Sequence, residues 1–377
     1  MPSIAEEVLV PFLDLSAIHR DLAPEVLRDF ERIIVSGVFG DGDDVRGFEE
    51  AFAAYVGTAG CIGMSSGLDA LKIGLLAAGL EPGDRVIVPA NTFVASIEAI
   101  VQAGGVPLLV DASEDDLNID PALARAAAET AEARFLMPVH LYGQLADMRE
   151  LLHIAAETGI TVIEDACQAH GATRDGFRAG AAGAAAGFSF YPGKNLGAMG
   201  DAGALTTNDS RITSRARALR EHGQVAKYDH AYEGFTGRLD AFQAAVLVRK
   251  LDLLAGWNAA RRETASSYLA SLTGVGDLQL PPVAPGSQPV WHLFVIRTAD
   301  PTRLGSHLAA HGIQTGRHYP IPAHLSGAFG HLGHTRGSFP VTESISETCL
   351  SLPLFPGMSA DMVDTVVTSI RQYFDGA

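Results

Sequence analysis

Short apolar runs recur along the first two hundred positions, each closed by a glycine-, proline- or polar-rich turn. The runs 61–64, 85–89, 107–110, 134–139, 160–164, 187–190 and 203–207 are strand-like in length and apolar enough to be buried. Between them lie Ala/Leu-rich stretches with helical period, such as 67–78 and 121–133. Short strands alternating with helices predict an α/β chain, a mostly parallel mixed sheet with helices on both faces. Ligands in such sheets collect beyond the carboxyl ends of the strands. A helical pattern from 239 to about 272, broken only by Gly256, carries the chain out of this large domain. Beyond it, 291–297 reads as a strand and 301–312 as a helix, which predicts a smaller C-terminal α/β domain. The expected division is a large domain over 1–250 and a small one over 251–377, with the N-terminal segment, about 1–25, packing on the small domain.

A chain of 377 residues exceeds one small core and suits this two-part reading. Its net charge of −17 argues against a nucleic acid or an anionic membrane as partner. A local basic pocket for a phosphorylated ligand stays compatible with that balance. Cys61, Cys167 and Cys349 have no metal-ligand spacing and cannot all pair, so a reducing, cytoplasmic setting is expected. The N-terminus is acidic and lacks the basic-then-apolar order of a signal peptide. The longest apolar stretches are interrupted by glycine and polar residues, so no membrane span is expected.

Two runs carry the candidate chemistry. Asp165 closes an apolar strand and opens Asp165-Ala166-Cys167-Gln168-Ala169-His170-Gly171. About thirty residues later, Lys194 lies in Phe188-Ser189-Phe190-Tyr191-Pro192-Gly193-Lys194-Asn195. This pairing suits an enzyme of pyridoxal 5'-phosphate (PLP). The lysine would hold the cofactor as a Schiff base, and the aspartate would keep its pyridine nitrogen protonated. Burial among aromatic and small residues would lower the lysine pKa and make it a usable nucleophile and base. Gln168 is a donor for the ring hydroxyl oxygen, and His170 is expected only to support Asp165 by a hydrogen bond.

Other runs complete a candidate site. Ser65-Ser66-Gly67-Leu68-Asp69 reads as strand, glycine turn and helix start, where backbone amides bind phosphate. Ser189 offers a second phosphate contact, and Phe93 an aromatic face for the cofactor ring. Lys227 and Tyr228 lie in one polar run, and His318, Tyr319 and His324 in another. The histidine spacings match no metal motif, so these runs are expected to serve a sugar or phosphate pocket and no metal is expected.

Together these residues resemble the DegT/DnrJ/EryC1/StrS family of PLP-dependent nucleotide-sugar aminotransferases. The resemblance covers nearly the whole chain, from Val10-Pro11-Phe12-Leu13-Asp14-Leu15 through Val139-His140-Leu141-Tyr142-Gly143-Gln144 to Leu350-Ser351-Leu352-Pro353. The run from Asp165 to Gly203 is highly specific to this family. The resemblance implies the aspartate aminotransferase-like fold, PLP fold type I, and a homodimer with shared active sites. It assigns the covalent cofactor link to Lys194, the pyridine partner to Asp165 and the ring-oxygen contact to Gln168. It puts phosphate contacts at Ser66, Gly67 and Ser189. It implies PLP, passing through pyridoxamine 5'-phosphate, with L-glutamate giving the amino group and leaving as 2-oxoglutarate, and a nucleotide-linked keto sugar as acceptor. Arg238-Leu239-Asp240, Gln243-Ala244-Ala245, Trp257-Asn258 and Gly312-Ile313-Gln314-Thr315 before His318-Tyr319-Pro320 look like the members that aminate C3 of dTDP-3-keto-6-deoxyhexoses. Within the class, the alternative is a 4-keto sugar aminotransferase. Outside it, the alternative is a non-catalytic regulator or partner subunit that keeps the fold.

Two positions depart from the family pattern. The family commonly shows Gly-x-Asn-x-Arg where this chain has Gly234-Phe235-Thr236-Gly237-Arg238. That asparagine reaches the partner subunit's cofactor phosphate, and Thr236 is shorter, so the contact is lost, replaced by water or taken by Arg238. Leu68 stands where threonine is common, and its backbone amide remains available for phosphate.

Overall fold

The computed structural model describes residues 9–376. Seven strands form the main sheet: β1 (Gly60–Met64), β2 (Arg85–Pro89), β3 (Val106–Val110), β4 (Ala133–Leu136), β5 (Thr161–Asp165), β6 (Ala185–Ser189) and β7 (Gly203–Thr207). They lie side by side in the order β1-β7-β6-β5-β4-β2-β3. β7 runs antiparallel to both of its neighbours, and all the other pairs are parallel. The expected mixed, mostly parallel α/β sheet is the one observed.

Side-chain alternation explains why these strands are apolar along their length. Val86 and Val88 of β2 point into a core with Leu71, Ile73 and Ile97, while Ile87 between them points into a second core with Phe48, Phe52 and Leu151. β5 repeats the pattern, with Val162 on the second face and Ile163 on the first. A strand buried on both faces has no polar side to show. The first face is covered by helices Gly67–Ala77, Val94–Gln102 and Ser210–Arg220. The second is covered by Asp43–Val56, Met148–Thr158 and Ala241–Leu251.

A third core lies around the antiparallel pair Phe294–Arg297 and Cys349–Leu352, with Tyr268, Leu304, Val366 and Ile370. Val10 belongs to this core and bridges Ile313. Positions 1–8 of the N-terminal segment lie outside the described residues.

Three boundaries differ from the sequence pattern. The run 239–272 is two helices, Ala241–Leu251 and Leu254–Leu272. The break comes at 252–253, where Leu253 N–H turns back three residues to the Lys250 carbonyl at 3.1 Å, and Gly256 sits inside the second helix. The strand expected from 291 begins only at Phe294, because Trp291 has a left-handed φ of 49°. The run 134–139 leaves the sheet after Leu136, and Val139 keeps a single bridge to Asp165. Among the described residues, no helix is long and apolar enough to cross a membrane.

Candidate active site

β1, β5 and β6 run parallel, so their carboxyl ends lie on one edge of the sheet, and each delivers part of a site there. Asp165 is the last residue of β5 and Ser189 the last of β6. Ser66 and Gly67 follow β1 as the cap and first residue of helix Gly67–Ala77. A cavity of about 360 Å³ is lined by Ser66, Gly67, Leu68, Phe93, Asp165, Gln168, Ser189 and Lys194. A second cavity of about 230 Å³, lined by Phe12, Arg261, His292 and His318, meets the first at Tyr191, Lys194 and Tyr319.

The floor of the larger cavity is tightly built. Ser66 is extended, and its hydroxyl accepts from the Asp69 N–H at 3.1 Å, which starts the helix. A Cβ on Gly67 would come within 2.7 Å of Ser189 Cβ and 2.8 Å of Cys167 Sγ. Only glycine lets these three segments approach, and the approach leaves a helix N-terminus beside a serine hydroxyl. That combination accepts a phosphate.

Asp165 is a buried carboxylate on the cavity wall. Its Oδ2 accepts from Ser96 Oγ at 2.6 Å and its Oδ1 from the Cys167 N–H at 3.1 Å. It makes no salt bridge among the described residues. A buried anion without a cation fits a ligand that brings a positive charge, as a protonated pyridine does. Gln168 is held by both ends of its amide: Oε1 accepts from the Tyr142 N–H at 2.8 Å, and Nε2 donates to the Tyr319 hydroxyl at 3.1 Å. The second Nε2 hydrogen remains for a ring oxygen. Burial pushes the Lys194 pKa down, against the opposing pull of Cys167 and Asp165. The donor set therefore fits PLP: an amide cradle for phosphate, an anion for the ring nitrogen, a donor for the ring oxygen and a lysine of reduced basicity. Phe93 stands at the rim with its ring centroid 5.3 Å from that of Tyr319.

Several expected contacts lie elsewhere. His324 is a correction: it lines neither cavity but is buried against Glu343, Nε2 to Oε1 at 3.0 Å. His170 does not support Asp165; both its ring nitrogens are without partners, and the ring packs against Phe188 and Phe190 at 5.4 and 5.6 Å. Lys227 and Tyr228 sit at an exposed turn between the short strands Gln224–Ala226 and Asp229–His230, away from both cavities. Thr236 is exposed, with its hydroxyl 3.3 Å from His222 Nε2, and Arg238 pairs with Glu221 at 2.8 Å. Neither reaches this chain's own cavity.

Some contributors escaped the sequence reading. Ser96, Arg261 and His292 come from segments with no motif of their own, and Tyr142 from the run Val139–Gln144, to which the sequence reading gives no site role. No group of His, Cys, Asp and Glu suited to a metal ion occurs among the described residues.

The sequence profile of the DegT/DnrJ/EryC1/StrS aminotransferase family matches residues 20–371. The dTDP-3-amino-3,4,6-trideoxy-alpha-D-glucose transaminase of Streptomyces venezuelae is 44% identical over 373 residues, covering 99% of this chain and 98% of that protein. The crystal structure of S. venezuelae DesV in complex with a ketimine intermediate superposes with a TM-score of 0.94 at 44% identity, over 97% of this chain and 98% of the other. NtdA from Bacillus subtilis with bound cofactor PMP superposes with a TM-score of 0.90 at 32% identity, over 98% of this chain and 86% of the other.

Proposed function

This chain belongs to the DegT/DnrJ/EryC1/StrS aminotransferase family and takes PLP as cofactor, and from that premise we propose that it transfers the amino group of L-glutamate to C3 of a dTDP-3-keto-6-deoxyhexose. The carrying observation is that Lys194 and Asp165, delivered by neighbouring parallel strands, line one cavity. The S. venezuelae relative, whose name places the amino group at C3 of a dTDP sugar, supports the choice of carbon and nucleotide.

Bound PLP supplies an electron sink and carries the nitrogen between the two half-reactions. Ser66, Gly67, Leu68 and Ser189 hold its phosphate end. Asp165 keeps the ring nitrogen protonated, with Ser96 and the Cys167 amide fixing the carboxylate. Gln168 donates to the ring oxygen, and Phe93 covers the ring. Lys194 Nζ anchors the cofactor, then moves a proton on and off the carbon that bears the transferred nitrogen; its lowered basicity suits both tasks. Tyr319, on the wall shared by the two cavities, and His318, in the smaller one, orient the substrate.

A homodimer with shared sites accounts for the remaining residues. Helix Ser16–Ser36 and the turn after it expose Leu27, Ile34, Val35, Val38 and Phe39, an apolar strip that a second copy would cover. Lys227, Tyr228, Thr236 and Arg238 then serve the partner's cavity. The setting is cytoplasmic, as the three unpaired cysteines suggest. The test is product analysis by NMR after incubation with glutamate and the 3-keto sugar. An amino group at C3 supports the reading, and turnover only of a 4-keto sugar overturns it.

A further inference from the structure

Arg261 is a charged lining residue that the cofactor contacts leave unexplained. It projects from helix Leu254–Leu272, is 3% exposed, and lines the smaller cavity that shares Lys194. Its Nη1 donates to the carbonyls of Trp291 at 3.2 Å and Leu354 at 2.9 Å. Its Nε is buried with no partner, and Nη2 makes no hydrogen bond among the described residues. Among the described residues no carboxylate pairs with it, and burial pulls its pKa down to about 10.

Arg220, also buried, and the part-buried Arg174 are built differently. Arg220 lies between Glu49 and Asp41, and Arg174 between Asp116 and Asp147. A guanidinium kept dry without an anion carries a desolvation cost of several kcal/mol unless a ligand supplies the counter-charge.

We propose that Arg261 receives a carboxylate of the amino donor, so that the donor occupies the smaller cavity with its nitrogen toward Lys194. The assignment rests on the aminotransferase reading above. Both substrates bring an anion, the carboxylates of the amino donor and the diphosphate of the nucleotide sugar, so the two half-reactions are read separately. Arginine pairs with a carboxylate through its N–H donors, and with Nη1 already donating to two carbonyls, Nη2 is the donor left for that contact.

The experiment follows each half-reaction of the holoenzyme separately by absorbance. In Arg261→Gln, the apparent Kd for L-glutamate should rise roughly ten- to a hundredfold, while the keto-sugar half-reaction keeps its wild-type Kd. An unchanged glutamate Kd, or equal losses in both halves, overturns the subsite. Co-crystals of the wild-type holoenzyme with glutarate, a dicarboxylate with no amino group to transfer, give a second readout that needs no stable variant. A glutarate carboxylate on Arg261 supports the assignment, and glutarate bound elsewhere overturns it. A wild type that is inert toward glutamate but active with another amino donor refutes the glutamate reading, and glutarate missing from Arg261 refutes the subsite, so the two failures are told apart.

Discussion

Ser96 Oγ donates to Asp165 Oδ2 at 2.6 Å across 69 positions of sequence. The serine sits in the first turn of helix Val94–Gln102, and the aspartate ends β5. This bond aims the carboxylate that would face the cofactor ring. Ser96→Ala should therefore weaken cofactor retention, by about 1–3 kcal/mol for a lost bond to a buried charged group. Titration of the apoenzyme with PLP, read by absorbance, checks this; wild-type affinity would mean the Cys167 amide alone holds Asp165.

Gly67→Ala tests the phosphate cradle. The added methyl would press on Ser189 Cβ and Cys167 Sγ, and such overpacking costs about 1–3 kcal/mol. The expected outcome is a lower melting temperature with less cofactor per chain. Full cofactor occupancy at wild-type stability would show that the helix start can shift freely.

His324 should matter to the fold and not to the substrate. Its bond to Glu343 also organises the Gly337 and Phe339 amides, which donate to the same carboxylate. His324→Ala should lower the melting temperature, while KM for the sugar changes less than twofold. A large KM increase with intact stability would restore a binding role.

The split between what the sequence disclosed and what it hid has a physical basis. Asp165 and Gln168 lie three residues apart after one strand, and Ser189 and Lys194 five apart after another, so local order alone placed them. Ser96, Tyr142 and Arg261 join the site only through long-range packing, and nothing in the neighbourhoods of Ser96 and Arg261 marks them. His324 looked like a substrate contact, and His170 like a support for Asp165, because they are polar. Their burial, and the Glu343 partner of the first, belong to the tertiary structure. The sheet was legible because a strand buried on both faces must be apolar throughout. The outer helices Ser16–Ser36 and Ala360–Asp375 were not singled out, since their mixed faces lack such a run.

Glu164 gives a pH-dependent prediction. Burial pushes its pKa up, but the bond from His140 and the amides of Gly183 and Gly180 outweigh it and hold the value below the ordinary 4.5. A depressed carboxylate pKa stabilises the fold above about pH 4.5, and the contribution fades as pH falls through the lowered value. Glu164→Gln should melt well below wild type at pH 7, and the gap should narrow at pH 4 and below. A constant gap would mean that Glu164 holds its amides equally well when protonated.

The central claim is that Lys194 carries the cofactor and the proton. The most direct measurement is the visible absorbance of purified wild type and Lys194→Ala, before and after L-glutamate and then after dTDP-3-keto-6-deoxyglucose. Wild type should show the band of lysine-bound cofactor, lose it with glutamate and regain it with the sugar. The variant should lack that band, whether or not it retains free cofactor, and should not turn over. A wild-type spectrum and turnover in Lys194→Ala, or no band in wild type even with added PLP, would contradict the account.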